Sequence, residues 1–293
     1  MNSFETGSYV AFPRTSSAAP IPAPTRETQP HAARPDAVVL ALPARVPLAA
    51  TIAQSLGLHG DIFVVRTAGV HGQKESTLAG LLRELEEHHP ELRILELHKH
   101  STIGKWLNGS VTESLFRRNR WPVLVLRPQA YETSGTRMGF RKILYATDLS
   151  AESVHALRYA STFTQERSTK LFVLQVETAE EGDPFQQQVA LRGLCDWMQG
   201  QTLEQGEPAL GAAGCVVRFG DPAQKILETA AELQSEMIVL GARGCGATPG
   251  EEGHFVGETA YEVACSSYSP VLIVPEPGVT PSEPDLVVSN GLA

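Results

Sequence analysis

Cysteine is scarce: four residues in 293, Cys195, Cys215, Cys245 and Cys265, all in the second half and none in CxxC spacing. A disulfide framework or a zinc ribbon needs more thiols at closer intervals, so free, reduced cysteines are the expectation. Basic charge is also in deficit, with 24 Lys and Arg against 33 Asp and Glu and a net charge of −9. No dense Lys/Arg stripe offsets it, which argues against a phosphate-backbone partner and hence against nucleic acid. No apolar run approaches the roughly 20 residues that span a bilayer, so no membrane partner is expected. The N-terminus lacks a basic start followed by an apolar core, and retention in the cytoplasm is the corresponding expectation. Catalytic signatures are missing too: the sequence holds no nucleophile elbow, no GxxxxGK[ST] loop and no HExxH pair. It reads as a binding protein rather than an enzyme.

What is present is an alternation of short apolar runs with helical spacing. The chain is long enough for two modest cores. Residues 1–35, rich in Pro, Ser, Thr and Ala, lack regular hydrophobic periodicity and read as a disordered tail. Residues 129–140 read as a linker, and 276–293 as a second tail. Between them lie two candidate domains, 36–128 and 141–275. In the later one, Lys142–Ala146, Leu171–Val176, Cys215–Phe219, the run MIVLG and Val271–Val274 read as strands. Helices are expected over AESVHALRYASTFT, Gln187–Met198, from Asp221-Pro222 through Leu233, and from about Glu258. Proline directly after an Asp is a favoured helix opening. Strands separated by helices imply a parallel sheet covered on both faces.

The first half repeats the alternation with one strand and one helix fewer: Ala37–Leu42, Asp61–Arg66, Leu92–Leu97 and Val123–Leu126 are its strands. The ends of the halves match. Gly109-Ser110 precedes Pro122-Val123-Leu124-Val125-Leu126 at the same interval by which Gly257-Glu258 precedes Pro270-Val271-Leu272-Ile273-Val274. Identical spacing of a helix start and the next strand points to duplication. The fold expected is therefore α/β, with two tandem open parallel sheets of up to five strands, the first reduced, and helices on both faces.

Four segments of the second half, KILYATDLS, VRFGDPAQKILETAAEL, MIVLGARG and PVLIVPEP, resemble the universal stress proteins. The resemblance covers 141–275 well and 37–128 weakly. It implies an adenine nucleotide alpha hydrolase-like fold and a stress-response regulatory role. It also implies ATP, with Mg2+, held by an Asp after the first strand, a backbone contact at the end of the second, and a G-x2-G-x9-G-[S/T] loop. Carried over residue by residue, these are Asp148 beside Ala146, Val176, Gly241, Gly244 and Gly257, with Arg243 and Thr259 as further contacts. The last strands of family members commonly pair, which would make the two halves an intramolecular pseudo-dimer through 123–126 and 271–274, with further homo-oligomerisation open.

The residues make chemical sense in those places. Glycines after a strand let backbone amides approach phosphate, and a helix start adds a partial positive charge. Ligands of open α/β sheets bind at the carboxyl edge, where Asp148 would sit. Two departures oppose ATP. Twelve residues, not nine, separate Gly244 from Gly257, and Glu258 stands where a hydroxyl residue is expected. With Glu251 and Glu252, three acids face Arg243, and one like-charge contact at ~4 Å is worth on the order of 4 kcal/mol at an effective dielectric of ~20. A nucleotide-free interaction scaffold and a weak ATPase therefore stay open as alternatives. In the first half, Pro43 replaces the Asp and Glu96-Leu97-His98-Lys99 replaces the early glycines, so no nucleotide is expected there.

Other features have ordinary readings. His88-His89 suits a helix end, and with His98 and His100 makes a weak metal candidate. Cys245 beside Arg243 is a redox-sensor candidate or a plain loop thiol. Trp106, Trp121 and Trp197 read as packing residues. Asp148 itself reads equally as ligand contact or helix cap.

Overall fold

The computed structural model describes residues 9–11, 37–40, 62–65, 92–96, 121–126, 140–165, 169–179, 183–204, 214–244 and 256–275. Ten strands appear among them: β1 (Tyr9–Ala11), β2 (Ala37–Leu40), β3 (Ile62–Val65), β4 (Leu92–Glu96), β5 (Val123–Leu126), β6 (Lys142–Thr147), β7 (Lys170–Glu177), β8 (Gly214–Phe219), β9 (Met237–Gly241) and β10 (Val271–Val274). Four helices are described, α1 (Ala151–Gln165), α2 (Pro184–Glu204), α3 (Pro222–Leu233) and α4 (Glu258–Ser266).

Period-2 alternation sorts the strand side chains onto two cores. Leu144, Ala146, Leu174, Val216 and Leu240 face one way, where Ala223, Ile226 and Ala230 of α3 and Ala260, Val263 and Ala264 of α4 cover them. Ile143, Tyr145, Val173, Val217 and Val239 face the other, under Ala156, Leu157 and Ala160 of α1 and Leu191, Leu194 and Met198 of α2. A strand buried on both faces must be apolar throughout, which is why these runs do not alternate with polar residues. Each fully buried Leu, Ile or Val contributes roughly 1.5–3 kcal/mol of transfer free energy.

Helix starts are set by local side chains. Asp221 caps α3, its Oδ1 accepting the Gln224 amide at 2.8 Å, and Pro222 follows in the first turn. Helix α2 begins earlier and ends later than Gln187–Met198. Asp183 and Gln186 cap it reciprocally, Asp183 Oδ1 accepting Gln186 N at 2.8 Å and Gln186 Oε1 accepting Asp183 N at 3.1 Å. Ahead of α3, Gly220 sits at φ 124°, a left-handed conformation that side chains resist.

The expectation of two separate parallel sheets is corrected: the strands form one ten-stranded sheet in the order β1-β8-β7-β6-β9-β10-β5-β4-β2-β3. The join is an antiparallel pairing of β10 with β5, Val271 opposite Val125, Leu272 opposite Leu124 and Ile273 opposite Val123. Each of these strands would otherwise end its own sheet with unpaired backbone groups and apolar side chains, and pairing removes both liabilities. The cores continue across the join, since Leu124 and Leu126 share a cluster with Leu272 and Val274. On one side of the join the strands run parallel in the order β8-β7-β6-β9-β10, and on the other the order β3-β2-β4-β5 mirrors the last four of these.

A second correction concerns the segment read as an N-terminal tail. Tyr9–Ala11 pair antiparallel with β8, Tyr9 opposite Val216 and Ala11 opposite Gly214. A three-residue Tyr-Val-Ala run has β propensity but too little length to register as periodicity, and the open edge of β8 supplies the partner. The expected helices of the first half, Pro43, the four histidines of 88–100, Trp106 and Cys245 lie outside the described residues. Within those described, no helix is long and apolar enough to cross a membrane.

Candidate functional site at the carboxyl ends of the central strands

Strand β6 pairs with β7 on one side and β9 on the other. The chain leaves β6 toward one face of the sheet and reaches β9 from the other, so a crevice opens where their carboxyl ends diverge. A cavity of about 580 Å³ occupies that position. This falls within the ~300–1,000 Å³ usual for small-molecule sites. Ala146, Thr147 and Asp148 line it from β6, Gln175 to Thr178 from β7, Gly241 to Gly244 from β9, Pro222 and Ile226 from α3, and Gly257 to Ala260 from the start of α4. All eight residues singled out in the sequence, Ala146, Asp148, Val176, Gly241, Arg243, Gly244, Gly257 and Thr259, are therefore brought together in one cavity. Leu174, Leu240, Ala242 and Ala260 give it an apolar floor.

The β6–α1 turn fixes Asp148. Leu149 takes a left-handed conformation, φ 63°, with its amide donating to Thr147 Oγ1 at 3.0 Å. Asp148 Oδ1 accepts from Ser150 N at 3.1 Å and from Ser150 Oγ at 2.5 Å. Ser150, not Asp148, caps α1: Ser150 Oγ accepts the Ser153 amide at 3.2 Å. Ser153 Oγ in turn contacts Thr147 Oγ1 at 2.8 Å, and its carbonyl accepts the buried Tyr145 hydroxyl at 2.7 Å. Burial pushes the Tyr145 hydroxyl up to about 12; the Ser153 and Thr147 contacts oppose that shift and the nearby Asp148 charge adds to it. The capping alternative for Asp148 thus yields to an Asx-type turn that leaves an exposed carboxylate at the cavity rim.

Gly244 faces that carboxylate. A Cβ built there would lie 2.7 Å from Asp148 Oδ2, so the glycine makes room for the aspartate as well as for any ligand. Gly257 is different. It caps α4 in extended conformation, φ −72°, and a Cβ there meets Ala242 O at an ordinary 3.5 Å. Its amide already donates to Ala242 O at 2.7 Å, which fixes the α4 start against the end of β9 and leaves that backbone donor engaged. Glu258 and Thr259 are both exposed on the first turn of α4.

Sequence reasoning missed the polar wall on β7. Gln175 Nε2 donates to Glu177 Oε1 at 2.5 Å, while Gln175 Oε1 is buried without a partner. The two residues occupy alternate positions on one strand face, a period-2 signal that was available beside Val176. Trp121 and Trp197 act in packing: Arg93 lies 5.6 Å from the Trp121 ring centroid, and Trp197 packs on the core under α2. No cluster of three metal-ligating side chains occurs among the described residues.

No curated protein matches the chain. Solved structures do. A universal stress protein from Archaeoglobus fulgidus has a similar structure, with a TM-score of 0.55 and 16% identity over 83% of this chain and 97% of that one. A putative universal stress protein from Pseudomonas aeruginosa gives a TM-score of 0.51 and 19% identity over 82% and 93%. At these identities the likeness is one of fold. Residues 139–275 match the universal stress protein family, so that this segment of the chain carries the family's domain.

Proposed function

We propose that this protein is a stress-response regulatory protein that binds an adenine nucleotide, ATP with Mg2+, in the cavity of its 141–275 domain. The observation that carries the reading is the convergence of Asp148, Val176, Gly241, Arg243, Gly244, Gly257 and Thr259 on one cavity at the carboxyl edge of the sheet. Asp148 would accept from ribose hydroxyls, the Val176 backbone would meet the base, and the turn after β9 with the start of α4 would face the phosphates. The 36–128 half serves as a structural partner, the two halves forming an intramolecular pseudo-dimer through β5 and β10. Its action is binding rather than catalysis, in the cytoplasm.

Titration of the purified full chain with ATP and MgCl2, followed by thermal shift, tests the reading. Ligand at 100 times its Kd stabilises by about 2.7 kcal/mol. Asp148→Ala should abolish the shift, and absence of a shift with ATP, ADP and AMP alike would overturn the proposal. One observation favours a second reading, a nucleotide-free interaction scaffold: the Gly257 amide is already bonded to Ala242 O, and Glu258 lines the cavity. Native mass spectrometry of freshly purified protein separates the two, since only the first carries a co-purified nucleotide mass.

A further inference from the structure

The polar wall at the end of β7, Gln175 and Glu177, has no part in the contacts assigned above. Gln175 pairs with Thr147 of β6, and strand alternation puts both side chains on the α1 side of the sheet, with Tyr145 and Val173. Gln175, Thr147 and Ser153 of α1 are all more than nine-tenths buried, and all three line the cavity. The cavity therefore wraps round the carboxyl edge of the sheet onto that side.

Gln175 Oε1 is buried there without a donor. Its orientation is set by Glu177, whose Oε1 accepts from Gln175 Nε2 at 2.5 Å; a carboxylate offers no proton, so the amide turns its nitrogen toward Glu177 and its oxygen away. No hydroxyl of the neighbouring network can serve that oxygen, because each carries one proton and each proton is spent. Tyr145 donates to Ser153 O, Ser153 Oγ to Ser150 O at 2.8 Å, and Ser150 Oγ to Asp148 Oδ1. With its own proton committed, Ser153 Oγ can only accept in its 2.8 Å contact with Thr147, which uses the Thr147 proton as well.

We propose that Gln175, with its amide oriented by Glu177, reads the base of the bound nucleotide: Oε1 accepts from an exocyclic amino group, so the cavity takes an amino-bearing base of the adenine type and rejects a 6-oxo purine. This rests on the nucleotide reading above, in which the base meets the backbone of the adjacent Val176. A 6-oxo purine presents a carbonyl oxygen where adenine presents N–H, and two acceptors face to face in a buried site leave both unpaired. The Gln175 oxygen lies just within the wall, and the broad terminal torsion of a glutamine amide lets a small turn bring it to the amine. Gln175 is the specificity residue, and Glu177 a positioning residue acting through it.

The test is calorimetric titration of the full chain with ATP, inosine triphosphate and deoxyATP, each with MgCl2. Wild type should bind ATP about 10- to 100-fold more tightly than inosine triphosphate, the range that one unpaired buried acceptor produces. Gln175→Leu should bring that ratio close to one by weakening ATP while leaving inosine triphosphate nearly unchanged. Glu177→Gln places a group there that can donate as well as accept, so the Gln175 amide can present Nε2; inosine triphosphate should gain and the ratio fall about tenfold. Loss of the Glu177 charge acts on both triphosphates alike and cancels in the ratio. Should Gln175→Leu fail to fold, Glu177→Gln decides alone. A wild-type ratio near one, a ratio that both variants leave intact, or a Gln175→Leu protein that loses its preference for ribose over deoxyribose instead, would overturn the inference and leave the nucleotide site standing. Failure of all three triphosphates to bind would overturn the nucleotide reading and this inference with it.

Discussion

Ile273 offers the sharpest perturbation, because β10 is held between β9 and β5 and its side chains are shielded on both faces. The residue is 1% exposed, pairs with Val123 across the join and with Leu240 on the other side, and packs in the cluster that also contains Leu144 and Val271. Ile273→Ala should cost about 2–5 kcal/mol by lost transfer and residual cavity. Ile273→Asp adds the problem of a carboxyl group with no cation in that cluster. Protonating it at pH 7 from an ordinary value near 3.9 takes about 4 kcal/mol, and the neutral acid still lacks hydrogen-bond partners, about 1–3 kcal/mol more. The sum, on the order of 7–12 kcal/mol, matches the whole stability of a typical domain. The buried acid has a raised folded-state pKa, so its penalty grows as pH rises above about 4 and shrinks below it. Thermal and guanidinium unfolding followed by circular dichroism, with size-exclusion chromatography, should find Ile273→Asp unfolded at pH 7 and partly restored, relative to wild type, near pH 4.5. Val125→Asp, opposite Val271, should behave alike. Tyr268→Asp, at a position 76% exposed, should change stability by no more than about 0.5 kcal/mol. An Ile273→Asp protein that melts with the wild type, or whose deficit ignores pH, would refute the placement of β10 at the centre of a continuous sheet.

Further outcomes follow from the same contacts. The Tyr145 hydroxyl is shifted from an ordinary value of 10 to about 12, so the stability it contributes is complete below pH 10 and is lost between pH 10 and 12. Tyr145→Phe should be less stable at pH 7 by about 1 kcal/mol, for the lost bond to the Ser153 carbonyl, and should lose less stability than wild type across that alkaline window in denaturant titrations. Asp221→Ala should destabilise by about 1 kcal/mol through the α3 cap, with Asp221→Asn close to wild type in the same assay. Gly244→Ala should push aside the Asp148 carboxylate and weaken nucleotide binding by calorimetry while the melting temperature of the free protein changes little; unchanged affinity would separate Asp148 from the ligand.

Much of this molecule was legible in its residues. The strand 271–274 and the helix Pro222–Leu233 have the boundaries their patterns indicated, because uninterrupted apolar runs, an Asp-Pro opening and a capping side chain are local signals that tertiary packing did not override. The eight residues that line the cavity came from the resemblance to the universal stress proteins, carried over onto motifs at the strand ends, and the parallel sheet delivers them to its carboxyl edge. Tertiary structure decided the rest. That β5 and β10 fuse two sheets into one depends on two edges finding each other, and that Tyr9–Ala11 form a strand depends on the open side of β8, neither of which a local pattern encodes. Which side chain caps α1 and what the Gly257 amide is bonded to are likewise properties of groups distant in sequence or competing for one donor. A sequence sets propensities and periods residue by residue, whereas such pairings are selected only when the whole core closes and every backbone donor must find a partner.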